Sequence, residues 1–135
     1  MNKKFPFWVL AAIISAIGVV NGAAGYWHLY YHYRWLDIPM HLVGGLWVGL
    51  TALVVYYFTT FVLEKKHTTS AVFLISLCSA LIIGIGWEAF EWIVDQITGL
   101  KHVDIFDTLS DIMNDAIGAV VAAVIFLRKG YNKSI

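Results

Sequence analysis

The chain has one cysteine, Cys78, and two prolines, Pro6 and Pro39, among 135 residues. A disulfide framework is therefore excluded, and a fold built mainly of turns has too few of its usual residues. Charge is scarce as well: only 13% of residues are Asp, Glu, Lys or Arg, about half the share of an ordinary soluble domain. Nine basic and nine acidic side chains sum to zero, which removes a nucleic-acid binder working through a basic surface. With 60% hydrophobic residues the chain is no disordered tail, and it has too little polar surface to cover the core of a soluble enzyme. What is left is an all-α integral membrane protein, a compact unit that uses lipid as its solvent.

Four apolar stretches have membrane-spanning length, at about 5–26, 38–63, 71–97 and 107–127. Polar breaks separate them at 27–37, 64–70 and 98–106. No low-complexity tract or linker interrupts the pattern, so residues 1–135 read as a single transmembrane domain. Lys3 and Lys4 before the first run, and Gly22-Ala23-Ala24 near its end, have the composition of a signal peptide; the segment is read as a membrane helix. Basic residues set the orientation. Lys3, Lys4, Lys65, Lys66, Arg128, Lys129 and Lys133 share one side of a four-span topology, against Arg34 and Lys101 on the other. Both termini are thus expected in the cytoplasm, and the protein in the inner membrane. Small residues recur four apart at Gly18/Gly22, Gly45/Gly49, Ala80/Gly84 and Gly118/Ala122, the spacing that lets membrane helices approach closely.

The acidic residues are concentrated. Asp37, Glu88, Glu91, Asp95, Asp104, Asp107, Asp111 and Asp115 all map to the outer ends of the last three spans, with Glu64 alone on the inner side. The uninterrupted apolar part of the fourth span, 116–127, rises only about 18 Å. A hydrocarbon core of about 30 Å must therefore take in roughly two more turns, which carry Asp111, Asn114 and Asp115. Each buried carboxylate costs at least about 2.5 kcal/mol unless it finds a partner. Helical spacing offers partners: Asp37 and His41 share a face at i,i+4, Glu88, Glu91 and Asp95 lie on one stripe, and Asp107, Asp111 and Asp115 on another. Three helices can point these ligands into one cavity that faces outward. Outer cations are too few to neutralise it, so several carboxylates are protonated, or a metal cation neutralises them, or both; a divalent metal is favoured, where imidazole with carboxylates suits zinc, manganese or iron, and carboxylates alone suit magnesium or calcium.

Plainer roles compete for some of these residues. Asp104 or Asp107 is suited to cap the fourth helix. Asp95, Lys101 and His102 read as solvated at the interface, and His28 and His32 as ordinary surface histidines of an aromatic segment (Tyr26 to Trp35) at headgroup level. Glu91 ranks below Glu88, because its position also suits the headgroup region. Cys78, Ser76 and Ser79 read as packing, and the cluster as a whole has a purely structural alternative, a polar network that fixes helix register. No G-x-S-x-G elbow, H-E-x-x-H helix, calcium loop or phosphate-binding Gly-rich loop is present.

Three blocks carry a resemblance: Trp35-Leu-Asp37-Ile-Pro-Met-His41-Leu-Val-Gly44-Gly45, Trp87-Glu88-Ala-Phe-Glu91-Trp92, and Asp107-Thr108-Leu-Ser-Asp111-Ile-Met-Asn-Asp115-Ala-Ile-Gly118. In this order, over the last three spans, they resemble the YjdF-like family of small inner-membrane proteins and, more distantly, the VanZ-like family, some members of which are linked to teicoplanin resistance. The resemblance implies that Asp37, His41, Glu88, Glu91, Asp107 and Asp111 belong to a shared polar site. Asp115 stands where VanZ-like proteins tend to carry Asn. The expected metal ligands are Asp37, His41, Glu88, Glu91, Asp107, Asp111 and Asp115, with Glu88 and Asp111 also as catalytic candidates. Three functions fit: a protein that binds a lipid or envelope component, a metal-dependent hydrolase or transferase, and an ion or proton transporter. Membrane lipids are the expected partners, with a homo-oligomer left open and no nucleic acid.

Overall fold

Helix limits follow local chemistry in the computed structural model, which describes residues 4–59, 65–99 and 104–133. α1 (Trp8–Tyr26) ends where the Trp27 N–H turns back to the Ala23 carbonyl and the His28 N–H to the Gly25 carbonyl, with His28 in a left-handed conformation (φ 53°). A single turn, α2 (Leu29–His32), and a 3-10 turn (Arg34–Leu36) lead into α3 (Asp37–Phe58). Pro39 falls in the first turn of α3, where its missing N–H has no helical acceptor to lose. α4 (Thr69–Thr98) begins at Thr68, whose hydroxyl accepts from the Ala71 N–H at 3.2 Å, and stops at Gly99, whose φ of 75° suits a residue without a Cβ. α5 (Ile105–Arg128) begins at Asp104, whose carboxylate accepts from the Phe106 N–H at 3.0 Å. Asp104 thereby takes the capping role.

These are the four helices long and apolar enough to cross a membrane, as the sequence predicts. Three limits shift. The first helix starts at Trp8, after Pro6, and leaves Phe5 free to pack; the caps Thr68 and Asp104 start α4 and α5 earlier than the apolar runs imply. α3 stops at Phe58 rather than Leu63: Thr59 turns extended, its hydroxyl donates to the Val55 carbonyl at 2.5 Å, and Lys65 Nζ donates to the Tyr57 carbonyl at 2.8 Å. Side chains thus take over carbonyls that the helix end leaves open.

α3 and α5 form the closest pair, and two glycines permit it. A Cβ on Gly45 would stand 2.1 Å from the Asp115 carbonyl oxygen, and one on Gly118 would stand 2.1 Å from the Leu42 carbonyl oxygen. Backbone meets backbone, the contact that replaces hydrophobic drive in lipid. α4 joins the pair through Ser76, whose hydroxyl donates to the Ala119 carbonyl at 2.8 Å, and through the buried Ala80. α1 leans mainly on α3, tied there by Trp47 Nε1 donating to the Leu10 carbonyl at 2.8 Å. Gly18 and Gly22 have the same spacing as the packing glycines, yet a Cβ on either would meet nothing within 4 Å. Among the described residues, no helix meets the small face of α1.

The two ends of the bundle differ. At one end Phe5, Phe58, Phe126 and Tyr131 contact one another ring to ring over the buried Tyr57. His67 and Asn132 clasp there: the ring Nδ1 bonds the Asn132 carbonyl, and the Asn132 amide donates to the His67 carbonyl at 3.1 Å. Lys4, Lys65, Lys66, Arg128, Lys129 and Lys133 belong to this end. The other end holds every described carboxylate, with Arg34 its one cation among the described residues. Lys3, Glu64, Lys101 and His102 lie outside the described residues.

Candidate functional site

His41 is the hub. One turn into α3 it is buried, and carboxylates from three helices surround its ring. Nδ1 lies 3.3 Å from Asp115 Oδ2 of α5. On the opposite edge, Nε2 lies 3.7 Å from Asp37 Oδ1 of its own helix and 3.8 Å from Glu88 Oε1 of α4. The i,i+4 pairing of Asp37 with His41 and the reach of α4 and α5 into the same space are as the sequence expects.

The two ring nitrogens have different tasks. When Nδ1 carries the proton and donates to Asp115, the Nε2 lone pair is turned toward Asp37 and Glu88. A carboxylate that holds one imidazole nitrogen so that the other can ligate is the usual outer partner of a metal-binding histidine. Asp115 therefore stands behind the ring as a positioning residue. Room for it comes from α4, because a Cβ on Gly84 would lie 2.3 Å from Asp115 Oδ2. The sequence marks Gly84 only as a packing residue.

Two triads share the histidine: Asp37, His41 and Asp111, and His41, Glu88 and Glu91, each with one ligand atom per residue and all within 4.8 Å of one another. Ligands on opposite sides of an ion at about 2.1 Å are at most about 4.2 Å apart, so closing either triad needs only side-chain adjustment. Glu88 Oε1 is buried and has no hydrogen-bond donor among the described residues. In an apolar surrounding such an oxygen is costly unless a proton or a cation meets it.

The remaining candidates separate by depth. Asp111 is buried with Asn114, whose amide turns back to the Ser110 carbonyl at 2.9 Å and leaves the cluster. Glu91 is half-buried, accepts from Trp87 Nε1 at 2.8 Å and lies within ligand distance of His41 and Glu88. Asp107 is exposed at the rim, 3.9 Å from Arg34 Nη2, which also lies 3.7 Å from Asp104. Of the seven expected ligands the structure thus gathers Asp37, His41, Glu88, Glu91 and Asp111 in the two triads, sets Asp115 behind the ring, and leaves Asp107 at the mouth. His28 and His32 are exposed, as expected.

A cavity of about 420 Å³ opens beside His41, between α1, α3 and α4. Asn21, Tyr30, Arg34, Asp37 and Glu91 line its polar end, and Ile17, Val48, Ala80 and Ile83 its deeper part. A second hollow of about 380 Å³ runs between α4 and α5 past Glu88, Asp95, Asp104 and Asp111. Asn21 and Tyr30 were not among the sequence candidates. The Tyr30 hydroxyl donates to Asn21 Oδ1 at 2.7 Å, and burial, then Asp37 and Glu91, push its pKa above the ordinary value. The signal for Asn21 was available as the one amide in the first apolar stretch; Tyr30 is indistinguishable in sequence from its aromatic neighbours.

A family model described as "Predicted membrane protein (DUF2238)" matches residues 1–131. No curated protein and no solved structure matches the chain. The YjdF-like family, which the three sequence blocks resemble, is this same family. With all four long helices and every residue of the His41 cluster inside the match, the chain belongs to the DUF2238 family of membrane proteins.

Proposed function

We propose that this protein holds a divalent cation at His41, near the extracytoplasmic face of the inner membrane, and uses it to bind or act on a lipid or another cell-envelope component. One observation carries the reading. A buried imidazole, held from behind by Asp115, turns Nε2 toward Asp37 and Glu88, and Glu88 Oε1 is buried with no donor among the described residues. One imidazole with carboxylates suits zinc, manganese or iron, with magnesium the less suited choice. The separation of basic from acidic ends supports cytoplasmic termini, with the cluster facing outward. The VanZ-like resemblance of the same blocks supports an envelope component as the ligand.

Binding and chemistry both fit this site. A cation there would lower the pKa of a bound water or polarise a phosphoryl or acyl oxygen. Glu88, whose Oε1 has no hydrogen-bond partner among the described residues, would take the proton from the attacking water, while Asp111 holds the opposite side. Neither hollow is lined by a serine or cysteine among the described residues, so water is the nucleophile of a hydrolase of this kind. Transport is disfavoured: the inner halves of α3 and α4, and that of α5 up to Leu127, carry no charged residue, and the aromatic cluster covers that end.

Elemental analysis of the purified protein tests the reading. About one divalent ion per chain is expected in the wild type and less than a tenth of that in His41→Ala and Asp111→Asn. Equal, negligible metal in all three folded proteins would leave only a polar network. Outside labelling of cysteines placed in the 65–70 segment of a Cys78→Ser protein, in intact cells, would overturn the orientation.

A further inference from the structure

The 420 Å³ cavity is amphipathic along its length, and α1 and α4, which both line it, do not pack closely on each other. Its wall runs from Asp37 to Val48 on α3 and from Glu91 back to Ala80 on α4. Eleven residues of helix cover about 16 Å, roughly half the hydrocarbon thickness. Over that distance the lining changes from Arg34, Tyr30, Asn21 and Asp37 to Ile17, Val48, Ala80 and Ile83. α1 rests mainly on α3, so Ile17 and Asn21 face α4 across the cavity without closing it. On the α4 side Ile83 is 56% and Trp87 43% exposed, although both line the cavity. A hollow with a polar end at headgroup depth, an apolar end in the acyl region and an open flank has the shape of a site entered sideways from the bilayer.

We infer that this cavity takes one phosphate-bearing lipid, with its phosphate on the His41-bound cation and Arg34 and the start of an acyl or isoprenoid chain along Ile17, Val48, Ala80 and Ile83; the assignment rests on the metal reading above. Charge selects the headgroup. Asp37, Glu91, Asp107 and Asp115 outnumber Arg34 and His41 along the lining, so the cavity without a cation repels phosphate. A divalent ion reverses that balance at the polar end. Arg34 lies 3.7 and 3.9 Å from single oxygens of Asp104 and Asp107 at the surface, so its planar fork retains donors for a phosphate. The Asn21 amide, whose oxygen accepts from Tyr30, presents N–H groups to the same end.

The test uses the full chain in nanodiscs of phosphatidylglycerol and phosphatidylethanolamine, with retained phospholipid read by native mass spectrometry and metal by elemental analysis on the same sample. Ile17→Trp/Ile83→Trp fills the apolar half while leaving the ligands alone. The expected result is at least tenfold less retained phospholipid in that variant with unchanged metal, and a similar loss in the wild type after chelation. Arg34→Gln is expected to weaken retention several-fold, also with unchanged metal. Metal in the wild type with equal phospholipid in wild type and double variant would overturn the lipid assignment and leave the metal site standing. Absence of metal from the wild type would overturn both. Retention that rises on chelation would identify an ammonium headgroup instead, and inorganic phosphate binding as tightly as the phospholipid, unaffected by the two tryptophans, would reduce the ligand to free phosphate; either contradicts the inference.

Discussion

The same two helices, α3 and α5, build both ends of this bundle, and the ends are opposites. Toward the acidic end the helices touch backbone to backbone at Gly45 and Gly118, and the space so defined is filled with His41, Asp111 and Asp115. Toward the basic end Leu53, Tyr57 and Phe126 fill the core, and no charged side chain is buried among the described residues. Close helix approach and polar content go together here for a physical reason. Glycine contacts bring α5 near enough for Asp115 to reach Nδ1 of His41, and a larger spacing would leave both groups unpartnered in an apolar medium. The basic end holds no buried charged group among the described residues and is packed for volume. One region is built for placement and the other for cohesion.

Substitutions can break that contrast in order of size. Gly118→Ala is expected to have the largest effect, because its Cβ would meet backbone 2.1 Å away and overpacking that no rotamer relieves costs more than the usual 1–3 kcal/mol, about 4 kcal/mol or more. Loss of the monodisperse folded peak on size-exclusion chromatography in detergent would show it; a wild-type profile would mean that the two helices are not this close. Phe126→Ala is expected to cost about 3–5 kcal/mol, as a drop in melting temperature, while metal stoichiometry at saturating metal stays at the wild-type value. Coupled loss of metal would erase the distinction between the two ends.

Asp115→Asn reverses the emphasis. It keeps the volume beside Gly84 and weakens the hold on Nδ1, so metal affinity should fall about 10–100-fold with little change in melting temperature. Titration with a competing chelator measures it, and unchanged affinity would remove Asp115 from the positioning role. Gly18→Ala should have the smallest effect, within about 0.5 kcal/mol, since nothing lies within 4 Å of the new methyl group. A large loss of stability there would mean that a second chain covers α1.

The glycine pairs show how far the sequence could be read. Gly45/Gly49 and Gly118/Ala122 were identified correctly as contact faces, and Gly18/Gly22, with identical spacing, was not one. Spacing reports which face of a helix is small; only tertiary structure supplies the helix that meets it. The acidic stripe of α5 gives the same lesson. Asp107, Asp111 and Asp115 share one face, but the first turn of α5 stands at the surface beside Arg34, so burial begins only at Asp111. Asp111, Asn114 and Asp115, the residues that the short apolar run of 116–127 is expected to draw into the fourth span, are buried among the helices. The meeting of Asn21 with Tyr30 was out of reach, since it depends on the left-handed turn at His28 that folds α2 back beside α1.

The most direct measurement is X-ray absorption at the edge of a bound metal, on protein loaded with zinc or manganese. Expected is a first shell of one imidazole nitrogen with carboxylate or water oxygens at about 2.0–2.2 Å and no sulfur, with the imidazole scattering lost in His41→Ala. A shell of oxygens alone that His41→Ala leaves unchanged, or sulfur ligation through Cys78, would contradict the placement of the cation at His41.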